Sequence, residues 1–321
     1  MTGFDFSGKV VLVTGGTKGI GAAIAQAFGD AGATVYVCGR TPPASVAAGS
    51  QTSLQTGAQE GLRAGLQAGQ HEDRHAGSPA GSPDSPTGLQ TGSQANLHSA
   101  SRQKAPRFIA ADVRDIDTID AMLAQIERES GRLDVLVSNA GGAPFALAAQ
   151  ASPRFTEAVI RLNLVAPLHI AQRANALMQQ QPEGGVLLFI GSVSGLRASP
   201  GTAAYGAAKA GLLNAVRSLA VEWAPKVRVC AVSPSLVETE AATSGHTGSS
   251  PADGEAALDN ITATIPAGRL AKPGDIASAC LFLASPHAAY ASGSNLILEG
   301  GGEVPAFLAA TDLHKAFATK P

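Results

Sequence analysis

The chain has 321 residues, of which 45% are hydrophobic and 15% charged, and its formal net charge is −2 at pH 7. This length and composition allow one large hydrophobic core and do not require a second domain. The near-neutral charge and the 4% content of aromatic residues argue against nucleic acid and anionic membranes as partners.

A strand, a glycine-rich turn and a helix are predicted near the N-terminal end. Val10–Val13 is continuously apolar, as in a central parallel strand, and Ala22–Phe28 continues as a helix. Gly15, Gly19 and Gly21 lie between them, and glycine lets a backbone approach phosphates closely. Because a helix N-terminus attracts anions, this order predicts a site for a dinucleotide pyrophosphate.

The second predicted strand, Thr34–Cys38, indicates which dinucleotide is preferred. A site for NAD(H) has an acidic residue after this strand to bind the ribose hydroxyls, and here Arg40 and Thr41 follow instead. Lys18 adds a second cation from the glycine turn. Two cations beside the ribose favour NADP(H) over NAD(H). The alternative is a pair of solvated surface cations.

A low-complexity insert is predicted at about 42–105. It is rich in Gly, Ser, Gln, Thr and Pro, contains no Phe, Tyr or Trp, and repeats a Leu-Gln-Thr-Gly pattern. Such a composition buries too little apolar surface to offset the entropy of ordering, so we expect a disordered surface loop. The alternative for part of it, 52–68, is a helix. The insert either modulates the adenosine end of the site or is inert, and the inert alternative is favoured.

The insert contains one sequence that imitates a metal site. The segment from His71 to His75 matches the His-Glu-x-x-His pattern of zinc proteases. That pattern needs an apolar helix to bring both imidazoles to one face, and this segment has no helical periodicity. We therefore predict no metal.

A candidate proton-transfer group lies in the second half of the chain. Val186–Ile190 is predicted to be a buried strand, and Ser192 follows it. Within a predicted helix over 203–223, Tyr205 and Lys209 are four residues apart and therefore share a face. An ammonium close to a phenol lowers the phenol pKa, which makes a general acid or base. The alternative is that Tyr205 is a core or interface residue.

In combination these motifs resemble the short-chain dehydrogenase/reductase family, in the branch of 3-oxoacyl-carrier-protein reductases and small carbonyl reductases. The resemblance covers residues 7–40 and about 107–303, where the glycine turn, an Asn-Ala-Gly segment at 139–141 and the Ser, Tyr, Lys set follow the family order. It implies an α/β fold: one doubly wound, Rossmann-type parallel sheet of about seven strands with helices on both faces.

The resemblance also assigns roles to residues outside these motifs. Asp112 and Val113 correspond to the positions that contact adenine, and Pro234, Val237 and Thr239 correspond to the segment that holds the nicotinamide carboxamide. The predicted cofactor-binding residues are Gly15, Thr17, Lys18, Gly19, Ile20, Gly21, Arg40, Thr41, Asp112, Val113, Asn139, Ala140, Gly141, Tyr205, Lys209, Pro234, Val237 and Thr239.

A fourth catalytic position is implied by the resemblance at Asn163, inside a predicted apolar helix over 154–179. Family members have an asparagine there that helps to hold a water in a proton relay, and asparagine is otherwise unfavourable inside a buried helix. The alternative is a partly exposed polar position. The predicted catalytic residues are Asn163, Ser192, Tyr205 and Lys209.

The implied reaction is a direct hydride transfer that interconverts a ketone and a secondary alcohol, with a 3-oxoacyl thioester or another small carbonyl compound as substrate. Ser192 would hold the substrate oxygen, Tyr205 would protonate it, and Lys209 would lower the Tyr205 pKa and bind the nicotinamide ribose. The alternative is a nucleotide-binding sensor or structural relative that has lost catalysis.

Four features depart from the family pattern: the insert, Ser138 and Ser235 in place of the usual Asn and Gly, and Glu299 in place of Asp. The small, polar stretch at about 240–262 corresponds to a substrate lid. The family analogy further implies a homotetramer or a dimer.

The cellular location is predicted from three observations. The N-terminus lacks the basic and apolar regions of a signal peptide, and no apolar run reaches the length of a membrane span. Cys38, Cys230 and Cys280 are odd in number and lie in apolar elements, which is typical of reduced thiols. We therefore expect a cytoplasmic protein. Its length and the extent of the family resemblance predict one oxidoreductase domain over 1–321.

Overall fold

A parallel sheet of seven strands forms the centre of the described structure. The structure is a computed structural model and describes residues 3–42, 105–239 and 259–302. In chain order the strands are β1 (Val10–Thr14), β2 (Thr34–Gly39), β3 (Arg107–Ala110), β4 (Val135–Ser138), β5 (Gly185–Ile190), β6 (Val227–Pro234) and β7 (Asn295–Leu298). They pair in the spatial order β3-β2-β1-β4-β5-β6-β7, and the predicted doubly wound fold is confirmed.

Helices cover both faces of this sheet. The named α-helices are α1 (Gly19–Asp30), α2 (Ile116–Ser130), α3 (Pro153–Ile160), α4 (Ala166–Gln180), α5 (Ala203–Glu222) and α6 (Pro273–Ala284). One hydrophobic cluster joins the sheet to α2, α4 and α5, and a second joins the opposite face to α1 and α6. Each face of the sheet is therefore buried, as a parallel sheet requires.

The alternation of side chains along β1 explains its continuously apolar sequence. Val10 and Leu12 belong to one hydrophobic cluster, whereas Val11 and Val13 belong to the other. Successive side chains of a strand point to opposite faces, so a strand covered on both faces favours apolar residues at successive positions. The apolar run that predicted a central strand is accounted for by this two-sided burial.

Two helical features differ from the sequence prediction. The α2 helix was not predicted, although its ends carry ordinary signals: the Asp115 side chain caps the first turn and Gly131 ends the helix with a φ of 69°. The helix predicted over 154–179 is interrupted by a five-residue π-helical segment, Arg161–Val165, between α3 and α4.

Some predictions fall on residues outside the described ranges. These are the insert between its end residues 42 and 105, the histidines at 71 and 75, and the lid up to residue 258. Within the described ranges, no helix is both long and apolar enough to cross a membrane. The same ranges contain no group of three or more His, Cys, Asp or Glu side chains arranged for a metal ion.

Arg228 on β6 stabilises the C-terminal end of α6. Its guanidinium donates hydrogen bonds to the carbonyl oxygens of Leu283 at 2.8 Å, Ala288 at 3.1 Å, Ala284 at 3.2 Å and Ser285 at 3.3 Å. The last carbonyl groups of a helix have no partner within the helix, and a cation there also interacts favourably with the helix dipole. Arg228 therefore ties α6 to the sheet.

We expect Arg228→Met to lower the free energy of unfolding by about 2–4 kcal/mol, because it removes charged hydrogen bonds and leaves partly buried carbonyl groups without partners. Urea unfolding followed by circular dichroism measures the change. Arg217→Met, on an exposed position of α5, is the matched control and should stay within about 0.5 kcal/mol of the unaltered protein. Equal stability of the two variants would contradict the capping role.

Candidate active site

A cleft of about 1470 Å³ opens at the carboxyl ends of the strands. The strand order reverses between β1 and β4, and ligands of doubly wound sheets bind in the crevice at such a point. Every residue predicted to bind the cofactor lines the cleft, as do three of the four predicted catalytic residues. Asn163 is the exception.

Hydrogen bonds between the ends of β1 and β4 form the floor of the cleft. The Thr14 hydroxyl accepts from the backbone N–H groups of Asn139 at 2.9 Å and Ala140 at 3.0 Å. In return, the Asn139 side-chain amide donates to the carbonyl oxygens of Thr14 at 3.0 Å and Gly15 at 3.2 Å. The Asn139 side chain, predicted as a cofactor contact, therefore also holds the glycine turn in place.

The glycine turn leads into an N-terminus of α1 that has no side-chain cap. Lys18 precedes the helix in an extended conformation, its side chain makes no capping hydrogen bond, and the first turn contains no acidic residue. In contrast, Asp115 caps α2 and Ser152 caps α3. Since this first turn lines the cleft, its N–H groups and dipole suit an anionic ligand.

Gly21 is required by a close backbone approach inside this turn. A Cβ atom at this position would lie 2.2 Å from the Gly15 carbonyl oxygen and 2.5 Å from the Asn139 side-chain nitrogen. Both neighbours take part in the link between β1 and β4 and cannot move freely. Any side chain here would therefore open the turn.

Cations and one carboxylate line the cleft at the ends of β2 and β3. Lys18, Arg40, Thr41 and Asp112, the residues predicted for the adenosine part of a cofactor, all line the cleft. Arg114, for which no role was predicted, also lines it and forms an ion pair with Asp112. The hydrogen bonds from Arg114 are the main cause that lowers the Asp112 pKa to about 2.

Ser192, Tyr205 and Lys209 come together where the turn after β5 packs on α5. A Cβ atom at Gly206 would lie 2.8 Å from the Ser194 carbonyl oxygen, so only glycine allows this close packing. The Lys209 ammonium lies 5.5 Å from the centre of the Tyr205 ring.

The pKa of Tyr205 differs from the sequence prediction. Burial raises this pKa, and a hydrogen bond with the Ser192 side chain acts in the opposite direction. The Lys209 ammonium lies over the ring face and donates a hydrogen bond to the Ile190 carbonyl at 2.7 Å. The predicted net lowering of this pKa was wrong for the protein alone, because the burial of the phenol outweighs the effects that favour its charged form. The phenol therefore stays protonated near neutral pH.

The Lys209 side chain is buried, and only 3% of the residue is exposed. Burial lowers its pKa to about 8, because an ammonium loses its hydration in the protein interior.

Asn163 lies in the π-helical segment and is fully buried, which excludes the alternative of a partly exposed position. Its side-chain amide donates to the carbonyl oxygens of Val159 at 2.9 Å and Gly142 at 3.0 Å, and its oxygen accepts from the Gly142 N–H at 2.8 Å. The Val159 carbonyl is four residues back, where it would otherwise accept a backbone bond of a regular α-helix. Asn163 thus anchors the loop after Gly141 to the widened helix turn.

Two loops that contact each other bound another part of the cleft. The Ala146 N–H donates to the Gly201 carbonyl at 2.8 Å, and the Phe145 ring lies directly over Gly201. Phe145 is 65% exposed and lines the cleft with Ser199 and Thr202. This end therefore offers both an aromatic surface and hydroxyl groups.

The segment predicted to hold the carboxamide continues from β6 across the cleft. Pro234, Ser235, Val237 and Thr239 all line the cleft, and Val237 forms a β-bridge with Ala271. This bridge fixes the path of the segment before the residues of the predicted lid.

Comparison with known proteins identifies the family. Residues 87–303 match the family described as "Enoyl-(Acyl carrier protein) reductase" and residues 9–66 match "short chain dehydrogenase". An uncharacterized short-chain type dehydrogenase/reductase of Sinorhizobium fredii is 34% identical over 60% of the chain, and this match spans 34% of that relative. The 3-oxoacyl-[acyl-carrier-protein] reductase of Vibrio harveyi is 30% identical over 92% of the chain and 98% of the relative.

A solved structure agrees with these matches. Ligand-free aldohexose dehydrogenase of Thermoplasma acidophilum superimposes with a TM-score of 0.72 and 25% identity, over 93% of this chain and 96% of that one. The chain belongs to the short-chain dehydrogenase/reductase family, whose members are oxidoreductases that act on CH–OH groups with nicotinamide dinucleotides.

The lowered pKa of Lys209 predicts a pH-dependent stability. Lys209 binds its proton more weakly in the folded protein, at a pKa of about 8, than at the ordinary 10.5. The free energy of unfolding therefore decreases by about 3 kcal/mol as pH falls from 10.5 through 8, and this decrease is complete below about pH 7. We expect Lys209→Met to be most favourable to stability near pH 7 and progressively less so toward pH 10.

Urea unfolding of both proteins at pH 7, 8, 9 and 10 measures the difference between their free energies of unfolding. Groups that titrate alike in both proteins contribute nothing to this difference. The Ile190 carbonyl loses its hydrogen-bond partner in the variant at every pH. This loss lowers the free energy of unfolding of the variant by a constant amount and does not change how that free energy depends on pH. Parallel stability curves over this range would contradict a lowered Lys209 pKa.

Proposed function

We propose that the protein is an NADP(H)-dependent oxidoreductase that interconverts a ketone and a secondary alcohol. The observation that carries this proposal is the position of Ser192, Tyr205 and Lys209 on one cleft with the glycine turn. A proton donor and a dinucleotide cradle facing the same space are what a carbonyl reduction needs.

The residues present fit the cofactor. The uncapped N-terminus of α1 suits a pyrophosphate, and Lys18 and Arg40 suit the 2′-phosphate of NADP(H) at the adenosine end. The segment from Pro234 to Thr239 would hold the carboxamide. When bound, the nicotinamide supplies or accepts a hydride at the substrate carbon.

The protein's own residues would manage the proton. The Ser192 hydroxyl would hold the substrate oxygen beside Tyr205, whose phenol would donate its proton to that oxygen during reduction. The raised Tyr205 pKa supports this direction, because it keeps the donor protonated at neutral pH. The Lys209 charge would stabilise the phenolate left behind.

Asn163 would act as a positioning residue in this scheme. Its three hydrogen bonds to Gly142 and Val159 hold the loop that follows Gly141 beside the cleft. The water relay implied by the family resemblance remains part of the proposal, although the Asn163 side chain itself is engaged with the protein backbone.

The substrate class is a ketone or secondary alcohol, such as a 3-oxoacyl thioester or another small carbonyl compound. Two of the relatives named above are a 3-oxoacyl-[acyl-carrier-protein] reductase and an aldohexose dehydrogenase. The aromatic ring of Phe145 and the hydroxyls of Ser199 and Thr202 are compatible with both classes.

The domain organisation, assembly and location belong to the same proposal. We infer one oxidoreductase domain that carries the insert and the lid, and a homotetramer or dimer by analogy with the family. The buried, unpaired thiols of Cys38, Cys230 and Cys280 support a reducing compartment such as the cytoplasm.

Removing the phenol oxygen tests catalysis. We expect Tyr205→Phe to lower kcat by about 10²–10⁴-fold while NADPH binding stays within about threefold, because only the proton donor is lost. Loss of reduced-nicotinamide absorbance with a panel of ketones and 3-oxoacyl thioesters measures turnover. Tyr290→Phe, at a fully exposed position, is the matched control.

Two results would contradict the catalytic proposal. Turnover that survives in Tyr205→Phe would exclude this phenol as the donor. NADPH binding without turnover of any substrate in the unaltered protein would favour the inactive nucleotide sensor.

Reversing the charge at Arg40 tests the cofactor preference. We expect Arg40→Asp to weaken NADPH binding by about 10–100-fold and NADH binding by less than about threefold, because only NADPH carries the 2′-phosphate that the guanidinium would bind. Fluorescence titration measures both dissociation constants. Arg128→Asp, on an exposed position of α2, controls for net charge, and equal weakening of both cofactors would contradict the assignment.

A further inference from the structure

The ion pair between Asp112 and Arg114 lies beside the proposed 2′-phosphate site. Arg114 Nε lies 2.9 Å from Asp112 Oδ1 and its Nη2 lies 2.5 Å from Oδ2, and the Arg114 backbone N–H donates to Oδ1 at 3.0 Å. Two parallel side-chain bonds give a bidentate, charge-assisted pair. Within the described part of the chain, Arg114 supplies every hydrogen bond that this carboxylate accepts.

Arg40 follows the strand next to the one that precedes Asp112. Gly39 pairs with Ala110, and the Ala111 N–H donates to the Gly39 carbonyl at 3.1 Å, so Arg40 and Asp112 leave adjacent strand ends. The Arg40 charge also contributes to the lowered pKa of Asp112. The Asp112 carboxylate therefore interacts with two guanidinium groups, and it forms its hydrogen bonds with that of Arg114.

This arrangement affects how a phosphate on the ribose would bind. A carboxylate without Arg114 would be attracted to Arg40, which would compete with the phosphate for that guanidinium. The same carboxylate would also repel the phosphate directly. Pairing with Arg114 removes both effects.

We propose that Arg114 is a positioning residue for cofactor choice: it holds the Asp112 carboxylate in a bidentate pair and thereby leaves Arg40 to bind the 2′-phosphate of NADP(H). The inference rests on the proposed NADP(H) preference. It also predicts which cofactor is affected, because NADH carries a neutral hydroxyl in place of the 2′-phosphate and therefore meets neither the competition nor the repulsion.

The test compares four full-length proteins: the unaltered chain, Arg114→Gln, Asp112→Asn and the double variant. Fluorescence titration gives the dissociation constants of NADPH and NADH for each. We expect Arg114→Gln to reduce the preference for NADPH by about tenfold, mainly through weaker NADPH binding. In the double variant, the neutral amide that replaces the Asp112 carboxylate neither repels phosphate nor forms an ion pair with Arg40, so the preference should return to within about threefold of the unaltered value.

NADH affinity serves as the internal control in every protein, because a misfolded site or a lost adenine contact weakens both cofactors equally. Arg128→Gln removes the same charge from an exposed position of α2 and should leave the preference unchanged. Thermal unfolding verifies that each variant is folded.

The possible failures are distinguishable. If the unaltered protein shows no preference for NADPH, the proposed cofactor is wrong and the inference fails with it. If that preference exists and Arg114→Gln retains it, only the inference is overturned. If the preference falls and the double variant does not recover it, Arg114 binds the phosphate itself, and the positioning role is refuted.

Discussion

The hydrogen bonds that join Thr14 to Asn139 and Ala140 connect β1 to β4 at the point where the strand order reverses. From this point one half of the sheet extends toward β3 and the other toward β7, so the loops after β1 and β4 separate and leave a crevice. The glycine turn follows one strand and the loop held by Asn163 follows the other. The cleft therefore depends on a link that contains no reacting group.

Three local arrangements around this crevice are costly for folding. The α1 N-terminus lacks a side-chain cap, the Lys209 ammonium is buried, and the π-helical segment replaces regular helix geometry around Asn163. Each arrangement is unfavourable for folding on its own. The two hydrophobic clusters on the sheet faces offset these terms, because they bury apolar side chains from the sheet and from the main helices. The residues that stabilise the fold thus lie on the faces of the sheet, whereas the candidate site lies at the carboxyl ends of its strands.

Much of the fold could be predicted from local patterns. Apolar runs over 10–13, 34–38 and 186–190 predicted strands because both faces of a parallel sheet are covered, and these runs lie within β1, β2 and β5. The α2 helix was missed although Asp115 and Gly131 mark its ends. The π-helical segment had no such signal, since it depends on where the Asn163 side chain finds its partners.

The sequence by itself determined the first strand, the glycine turn that follows it, and the spacing of Ser192, Tyr205 and Lys209, because each follows from residues near one another in the chain. Only the tertiary structure decided which partners the charged side chains have. Lys209 is bonded to the Ile190 carbonyl, and Arg114 rather than Arg40 is hydrogen-bonded to the Asp112 carboxylate. Such pairings, and the pKa values they set, depend on burial and on distances between separate elements, which local sequence patterns do not contain.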